Sequence, residues 1–252
     1  MGFFTTAAGN YDRHIGRYGP ALAPELIAAA AIRPGDHVLD VGCGPGALTA
    51  ALLRHGARVS AIDPSEPFAT ACAERNPDAD VQVGAAEALP FAAATFDAAL
   101  AQLVLNFMAD AEAGVRELAR VTKPGGTVAA AVWDYGDGMT ILRTFWDAAK
   151  TIDPEAGDES QMRYCTPDTL GALWSAFDDA RVTEAVVRAS YDGFEDLWAP
   201  LESGVAPSGA FTVSVSPERR AQLKREFRSR LGVTDDPFEL TARAWVVSGR
   251  RP

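Results

Sequence analysis

Apolar and polar positions change period twice along this chain. Between residues 37 and 133 short apolar runs alternate with amphipathic stretches. Val38-Leu39 with Val41, Arg58 to Ile62, Asp80 to Val83, Ala98 to Val104 and Thr127 to Trp133 read as strands. Apolar residues at consecutive positions suit strands covered on both faces, as in a parallel sheet. The intervening segments have helical spacing. Pro20 to Ile32 is rich in Ala and Leu and ends before Arg33-Pro34-Gly35; Ala47 to Leu53 is stopped by Gly56. Ala111 to Val121 puts Val115, Leu118 and Val121 on one face and Glu112, Arg116 and Arg120 on another, and Lys123-Pro124-Gly125-Gly126 stops it. Strand and helix in alternation predict a doubly wound α/β sheet. Beyond residue 135 the alternation ends. Thr140 to Ile152 spaces Ile141, Phe145, Ala149 and Ile152 as a helix, and Thr166-Pro167 opens another with Leu170, Leu173, Trp174 and Phe177 behind it. Val182 to Ala189 is a sixth strand. Residues 192–215 have no clear period. Ser216-Pro217 caps a helix that Gly232 ends, and Leu240 to Val247 is a seventh strand.

The stretch Val38-Leu39-Asp40-Val41-Gly42-Cys43-Gly44-Pro45-Gly46-Ala47 is a strand, a glycine turn and a helix start. Glycine permits positive φ and close approach of a ligand to the backbone. The helix N-terminus offers free N–H groups and partial positive charge. Gly42-x-Gly44-x-x-Ala47 satisfies the dinucleotide pattern, with Asp63 at a ribose-binding distance along the chain. That spacing alone favours an NAD(P)-dependent oxidoreductase. The acid two residues before Gly42, followed by Gly-Cys-Gly-Pro-Gly, instead resembles motif I of the class I S-adenosylmethionine-dependent methyltransferases. A non-catalytic cofactor-binding module is a third reading. The methyltransferase resemblance covers about residues 10–135 with specific motifs and the rest of the chain in outline, and is nearest to the broad group that includes the ubiquinone and menaquinone biosynthesis methyltransferases. It implies a seven-stranded, mostly parallel Rossmann-like sheet with helical insertions over the substrate side, S-adenosyl-L-methionine as cofactor and S-adenosyl-L-homocysteine as product.

Chemistry and resemblance together nominate the site. Both carboxylate oxygens of Asp63 can accept from ribose hydroxyls; Asp is also a common cap for the helix that follows, although Ser65 can cap as well. The resemblance adds Asp40, Gly42, Cys43, Gly44 and Gly46 around the methionine part, Pro64 and Phe68 beyond Asp63, and the Ala86-Glu87-Ala88-Leu89-Pro90-Phe91 loop on the adenine side. Many members carry Asp where Ala85 stands, so here Ala86 and Glu87 are expected to read adenine through their backbones. Gln102 and Asn106, at the end of the fourth strand, are expected near the sulfur and the methyl acceptor. Residues 1–19 are expected to form a lid presenting Tyr18, residues 20–135 a cofactor-binding core, and residues 136–252 the substrate-side helices and last strands. Candidate general bases are His14 and Asp134; local satisfaction is the competing role of each. His37 and His55 have no catalytic signature.

Composition narrows the function further. The 252 residues carry a net charge of −11, which argues against a nucleic-acid partner. No apolar run is long enough for a membrane span, and Met1 to Asn10 lacks the pattern of a signal peptide. Cys43, Cys72 and Cys165 are scattered with no C-x-x-C, so reduced thiols in a cytoplasm and no metal site are expected. The basic residues between 219 and 230 are expected to form a solvated face. Trp146, Trp174, Trp198, Phe145, Phe194 and Phe211 would suit either an apolar or aromatic small-molecule pocket or plain core. A monomer or homodimer is expected.

Overall fold

The computed structural model describes residues 8–252. Seven strands form one sheet in the order β3-β2-β1-β4-β5-β7-β6: β1 His37–Val41, β2 Arg58–Asp63, β3 Asp80–Val83, β4 Phe96–Gln102, β5 Thr122–Trp133, β6 Asp178–Tyr191 and β7 Phe238–Arg250. Strand β1 pairs in parallel with β2 and β4, β3 with β2, and β5 with β4, while β7 is antiparallel to β5. The expected mostly parallel sheet therefore forms. The uninterrupted apolar runs explain it: Val38, Leu39, Val41, Ala99, Leu100, Ala101 and Val128 to Val132 have no exposed surface.

The helices of the first half are α1 Ala8–Arg13, α2 Gly19–Ala29, α3 Ala47–Arg54, α4 Glu66–Arg75 and α5 Ala111–Val121. Then follow α6 Thr140–Ile152, α7 Pro167–Ala172, α8 Phe194–Glu202, α9 Ala206–Ser214 and α10 Pro217–Leu231. The caps at Thr166, Ser216 and Gly232 act as the sequence expects; Ser216 accepts from Arg219 N and Gly232 is left-handed at φ 66°. Helices α8 and α9 were not legible, because Pro200 lies inside the first and Gly209 inside the second. Strand β5 begins earlier than the Lys-Pro-Gly-Gly turn implies. Thr122 pairs with Phe96 but Thr127 with Ala98, so residues 123–126 bulge out of the ladder.

The chain divides into two compact units. One comprises residues 19–133, 163–185 and 244–252; the other comprises the segment ending at Tyr18 together with 134–162 and 186–243. In the second unit most of the aromatics expected around a pocket pack on one another. Phe145 lies edge-on to Trp146 at 5.1 Å and to Phe227 at 5.5 Å, and Phe194 meets Phe227 at 6.0 Å. In the first unit Trp174 donates to Val128 O (3.0 Å) and stacks on Phe177. The basic face of α10 is paired locally: Lys224 with Glu195, Arg230 with Glu226 and Arg228 with Asp235. No helix among the described residues is long and apolar enough to cross a membrane, and no metal-binding cluster occurs among them.

Candidate cofactor site

Strands β2 and β4 flank β1, so the strand order reverses there and opens a crevice beyond the carboxyl ends. The glycine turn fills one lip of it. Gly42, Gly44 and Gly46 all have positive φ (70°, 53° and 98°). Gly42 N and Cys43 N donate to Ile62 O at 2.7 and 3.1 Å, which fixes the turn to the end of β2. The three glycines serve different ends. A Cβ on Gly42 would lie 2.4 Å from Val104 Cγ2, and one on Gly46 would lie 2.3 Å from Asn76 Nδ2. A Cβ on Gly44 would meet nothing within 4 Å. Two glycines therefore allow packing, and the third keeps an open face against which a ligand can lie. Gly46 is the N-cap of α3 and brings no side-chain acceptor, so the first N–H groups of that helix remain donors.

Two acids stand behind the turn. Asp40 is fully buried; its Oδ2 accepts from Thr49 Oγ1 at 2.6 Å, and Oδ1 has no partner among the described residues. Burial, reinforced by the charge of Asp63, pushes its carboxyl up to about 7 against the pull of the Thr49 bond. Asp63 accepts from Gly44 N through Oδ2 and from Ser65 N through Oδ1, both at 2.8 Å. Burial raises its pKa, while those two N–H groups hold it down. Asp63 thus ties the glycine turn to the start of α4, and each oxygen keeps a lone pair for a further donor. Beneath the turn, the Cys43 side chain packs with Ala61 and Cys72 in the core, so Cys43 faces the crevice only through its backbone.

The remaining predicted residues of this unit lie at the ends of neighbouring strands. Pro64 is exposed and Phe68 is 4% exposed, leaving little of its ring for a base. Ala86 and Glu87 open a short 3-10 helix, Ala86–Ala88, and the Glu87 carboxylate accepts from Ala109 N at 2.9 Å. Gln102 closes β4 and donates to Gly19 O at 3.2 Å; its Oε1 is buried without a partner among the described residues. Leu103 follows at φ 64°, a strained conformation for a branched side chain, held by its N–H to Ala131 O at 2.8 Å. Asn106 is buried, with neither amide atom partnered among the described residues. The sequence had raised Asn106 only through resemblance. His37 is half-buried beside Ser60 and Phe96.

Three predicted residues belong to the other unit. Tyr18 is buried there, its hydroxyl 3.3 Å from that of Tyr191, and Arg17 grips Asp196 with two bonds of 2.6 and 2.9 Å. Residues 1–7 of the expected lid lie outside the described residues. His14 is buried with Nε2 3.2 Å from Ser208 Oγ; burial, aided by Arg17, pulls its pKa down to about 4, so it is neutral at pH 7. Asp134 accepts from Arg243 Nε at 2.8 Å and from Asp137 N at 3.1 Å, so both of its oxygens are engaged. A cavity of about 530 Å³ opens at the amino ends of the strands, lined by Arg33, Asp97, Lys123 and Arg250; it contains none of the predicted site residues.

A crevice at a strand-order reversal, with a glycine turn, an open helix N-terminus and an acid at the end of the second strand, defines an α/β protein built to bind a nucleoside-containing cofactor. A methyltransferase domain model matches residues 39–130. Over 216 residues the chain is 34% identical to an uncharacterized protein of Mycobacterium tuberculosis, covering 81% of this chain and 78% of that protein. It is 35% identical over 200 residues to the malonyl-[acyl-carrier protein] O-methyltransferase of Pseudescherichia vulneris, covering 79% and 75%. In fold it is similar to a putative type II methyltransferase from Anaeromyxobacter dehalogenans, with a TM-score of 0.67, 22% identity and coverage of 93% and 97%. The chain belongs to the S-adenosylmethionine-dependent methyltransferases. The nicotinamide reading of the glycine spacing is thereby replaced, and S-adenosyl-L-methionine is the cofactor.

Proposed function

We propose that this chain transfers the methyl group of S-adenosyl-L-methionine to a small organic acceptor by in-line displacement. The observation that carries the reading is the Gly42–Gly46 turn with Gly44 open on one face and Asp63 bonded to its backbone. The cofactor supplies a methyl already activated on a sulfonium. Asp63 would hold the ribose hydroxyls through its remaining lone pairs. The Gly44 backbone and the buried carboxylate of Asp40 would face the methionine part, and the Ala86 and Glu87 backbone the adenine. Pro64 and Phe68 would flank that half of the site, with Gln102 fixing the end of β4. Aligning acceptor and methyl is worth about 7–11 kcal/mol of barrier. His14 and Asp134 are both held by local partners. Alignment, rather than proton removal by either of them, is therefore the main catalytic factor in this reading.

The test is calorimetric titration of the wild type and Asp63→Ala with S-adenosyl-L-methionine and S-adenosyl-L-homocysteine. Losing charge-assisted bonds worth roughly 1.5–3 kcal/mol should weaken both ligands by about tenfold to over a hundredfold. Unchanged affinity in a folded variant removes Asp63 from the site.

A further inference from the structure

The cavity of about 530 Å³ at the amino ends of the strands is a second concave surface, and every residue lining it belongs to the unit of residues 19–133, 163–185 and 244–252. A break in the sheet makes it. Residues 123–126 bulge out between β4 and β5. The bulge is tied to the end of β7: Gly125 N donates to Arg251 O and Arg251 N to Gly126 O, both at 2.8 Å. A Cβ on Gly126 would lie 2.6 Å from Asp97 O, so glycine lets the bulge sit this close to β4. The volume falls in the range of small-molecule sites.

The charges of the lining do not close on one another. Lys123 and Asp97 pair at 2.6 Å, and the other oxygen of Asp97 accepts from His37 N at 2.9 Å. Three exposed guanidiniums remain, from three separate segments: Arg33 beyond α2, Arg181 in β6 and Arg250 at the end of β7. None has a carboxylate partner among the described residues. Arg181 makes one long bond, Nη2 to Ala29 O at 3.4 Å. The Arg250 guanidinium lies beside Gly125, where a Cβ would be 3.8 Å from its Nη2. In a chain of net charge −11, three unpaired cations gathered in one concavity draw an anion to that place.

Two carboxylates share the lining. Asp36 Oδ2 accepts from Arg33 N at 2.8 Å and leaves Oδ1 open, and Asp179 has no partner among the described residues. A guanidinium only donates and an ionised carboxylate only accepts. A ligand that answers both must carry an anion and hydroxyl donors together. Guanidiniums arriving from three segments outnumber the two oxygens of a carboxylate, whereas the terminal oxygens of a phosphate ester are three and point in different directions.

We propose that this cavity binds a small hydroxylated phosphate monoester, with Arg33, Arg181 and Arg250 on the phosphate and Asp36 and Asp179 on the hydroxyls. The glycine turn stands at the opposite, carboxyl ends of the strands, so the two sites are separate, and this one does not depend on the methyltransferase reading.

The experiment is calorimetric titration, with and without saturating S-adenosyl-L-homocysteine, using ribose 5-phosphate, ribose, inorganic phosphate and sodium gluconate, a hydroxylated carboxylate. Ribose 5-phosphate should bind the wild type alike in both conditions. Ribose should bind at least about tenfold more weakly, and inorganic phosphate and gluconate at least about threefold more weakly. Arg33→Gln, Arg181→Gln and Arg250→Gln should each weaken ribose 5-phosphate by about threefold or more, and the triple variant should abolish its binding. Asp179→Asn should narrow its margin over inorganic phosphate. These side chains are exposed, and thermal melts of the single variants should match the wild type. No binding of ribose 5-phosphate, ribose or gluconate that matches it, or single arginine variants that all bind it as the wild type does would each overturn the site. Inorganic phosphate that matches it would overturn the ester. Displacement of ribose 5-phosphate by S-adenosyl-L-homocysteine would put it in the cofactor crevice and overturn the proposal as well. Failure of S-adenosyl-L-homocysteine to bind, with ribose 5-phosphate binding intact, refutes the cofactor reading alone.

Discussion

Asp40→Asn tests the electrostatics beneath the glycine turn. The asparagine keeps the shape and can still accept from Thr49 Oγ1, but it cannot titrate. In the folded wild type, burial pushes the Asp40 carboxyl from 3.8 up to about 7. The sign follows from proton counting. Between those values the unfolded chain has released the proton and the folded chain still holds it, so wild-type stability from this group falls as pH rises through the window. The window spans about three pH units at 1.36 kcal/mol each, giving about 4 kcal/mol in all. The variant lacks this slope. It carries instead a constant cost of about 1–3 kcal/mol, because its amide N–H meets the unpartnered Oδ1 position. Urea unfolding of the cofactor-free proteins from pH 4 to pH 8 should therefore show the variant gaining on the wild type by up to about 4 kcal/mol as pH rises. A difference that stays flat across the window, or runs the other way, refutes the argument. A cationic cofactor favours the ionised acid, so its affinity for the wild type should rise as pH passes through about 7.

Three further predictions concern the glycine turn and the Asp134–Arg243 pair. Gly44→Ala places its methyl in open space and pays only about 1–2 kcal/mol for the left-handed backbone, yet it should weaken S-adenosyl-L-homocysteine by calorimetry; Gly46→Ala collides with Asn76 and Cys72 and should lose more stability in thermal melts. If the two alanine variants melt alike, the division of labour between these glycines is wrong. Arg243→Met strands the buried Asp134 and should destabilise the fold by about 1–3 kcal/mol, given the partial exposure of the pair. Asp134→Asn should keep its turnover per folded molecule, and a variant that melts normally but does not turn over would make Asp134 a base after all.

The parts legible in the sequence were those with local causes. Apolar runs placed five parallel strands, and Ser216, Thr166 and Gly232 carried their own capping chemistry. The glycine turn was legible because left-handed backbone and close approach leave few other residues possible. Asp63 was legible as an acid at a strand end, but its bonds to Gly44 N and Ser65 N join segments whose meeting no local pattern encodes. Helices α8 and α9 were hidden by internal proline and glycine that tertiary packing overrides.

The strand order has a consequence for how the protein is made. Strands β1 to β4, with the turns that follow them, contain Asp40, the three glycines, Asp63, Ala86, Glu87 and Gln102 within a 63-residue stretch of chain. A ribosome delivers this stretch before it has made β5, β7 and β6, which complete the far side of the sheet. The central pairing of β1 with β2 and β4 is thus available to the nascent chain early, and the antiparallel edge is added to it last. Until β5 arrives, β4 is an open edge of apolar residues, so the interval between synthesis of Gln102 and of Trp133 is when the emerging chain is most exposed to mispairing.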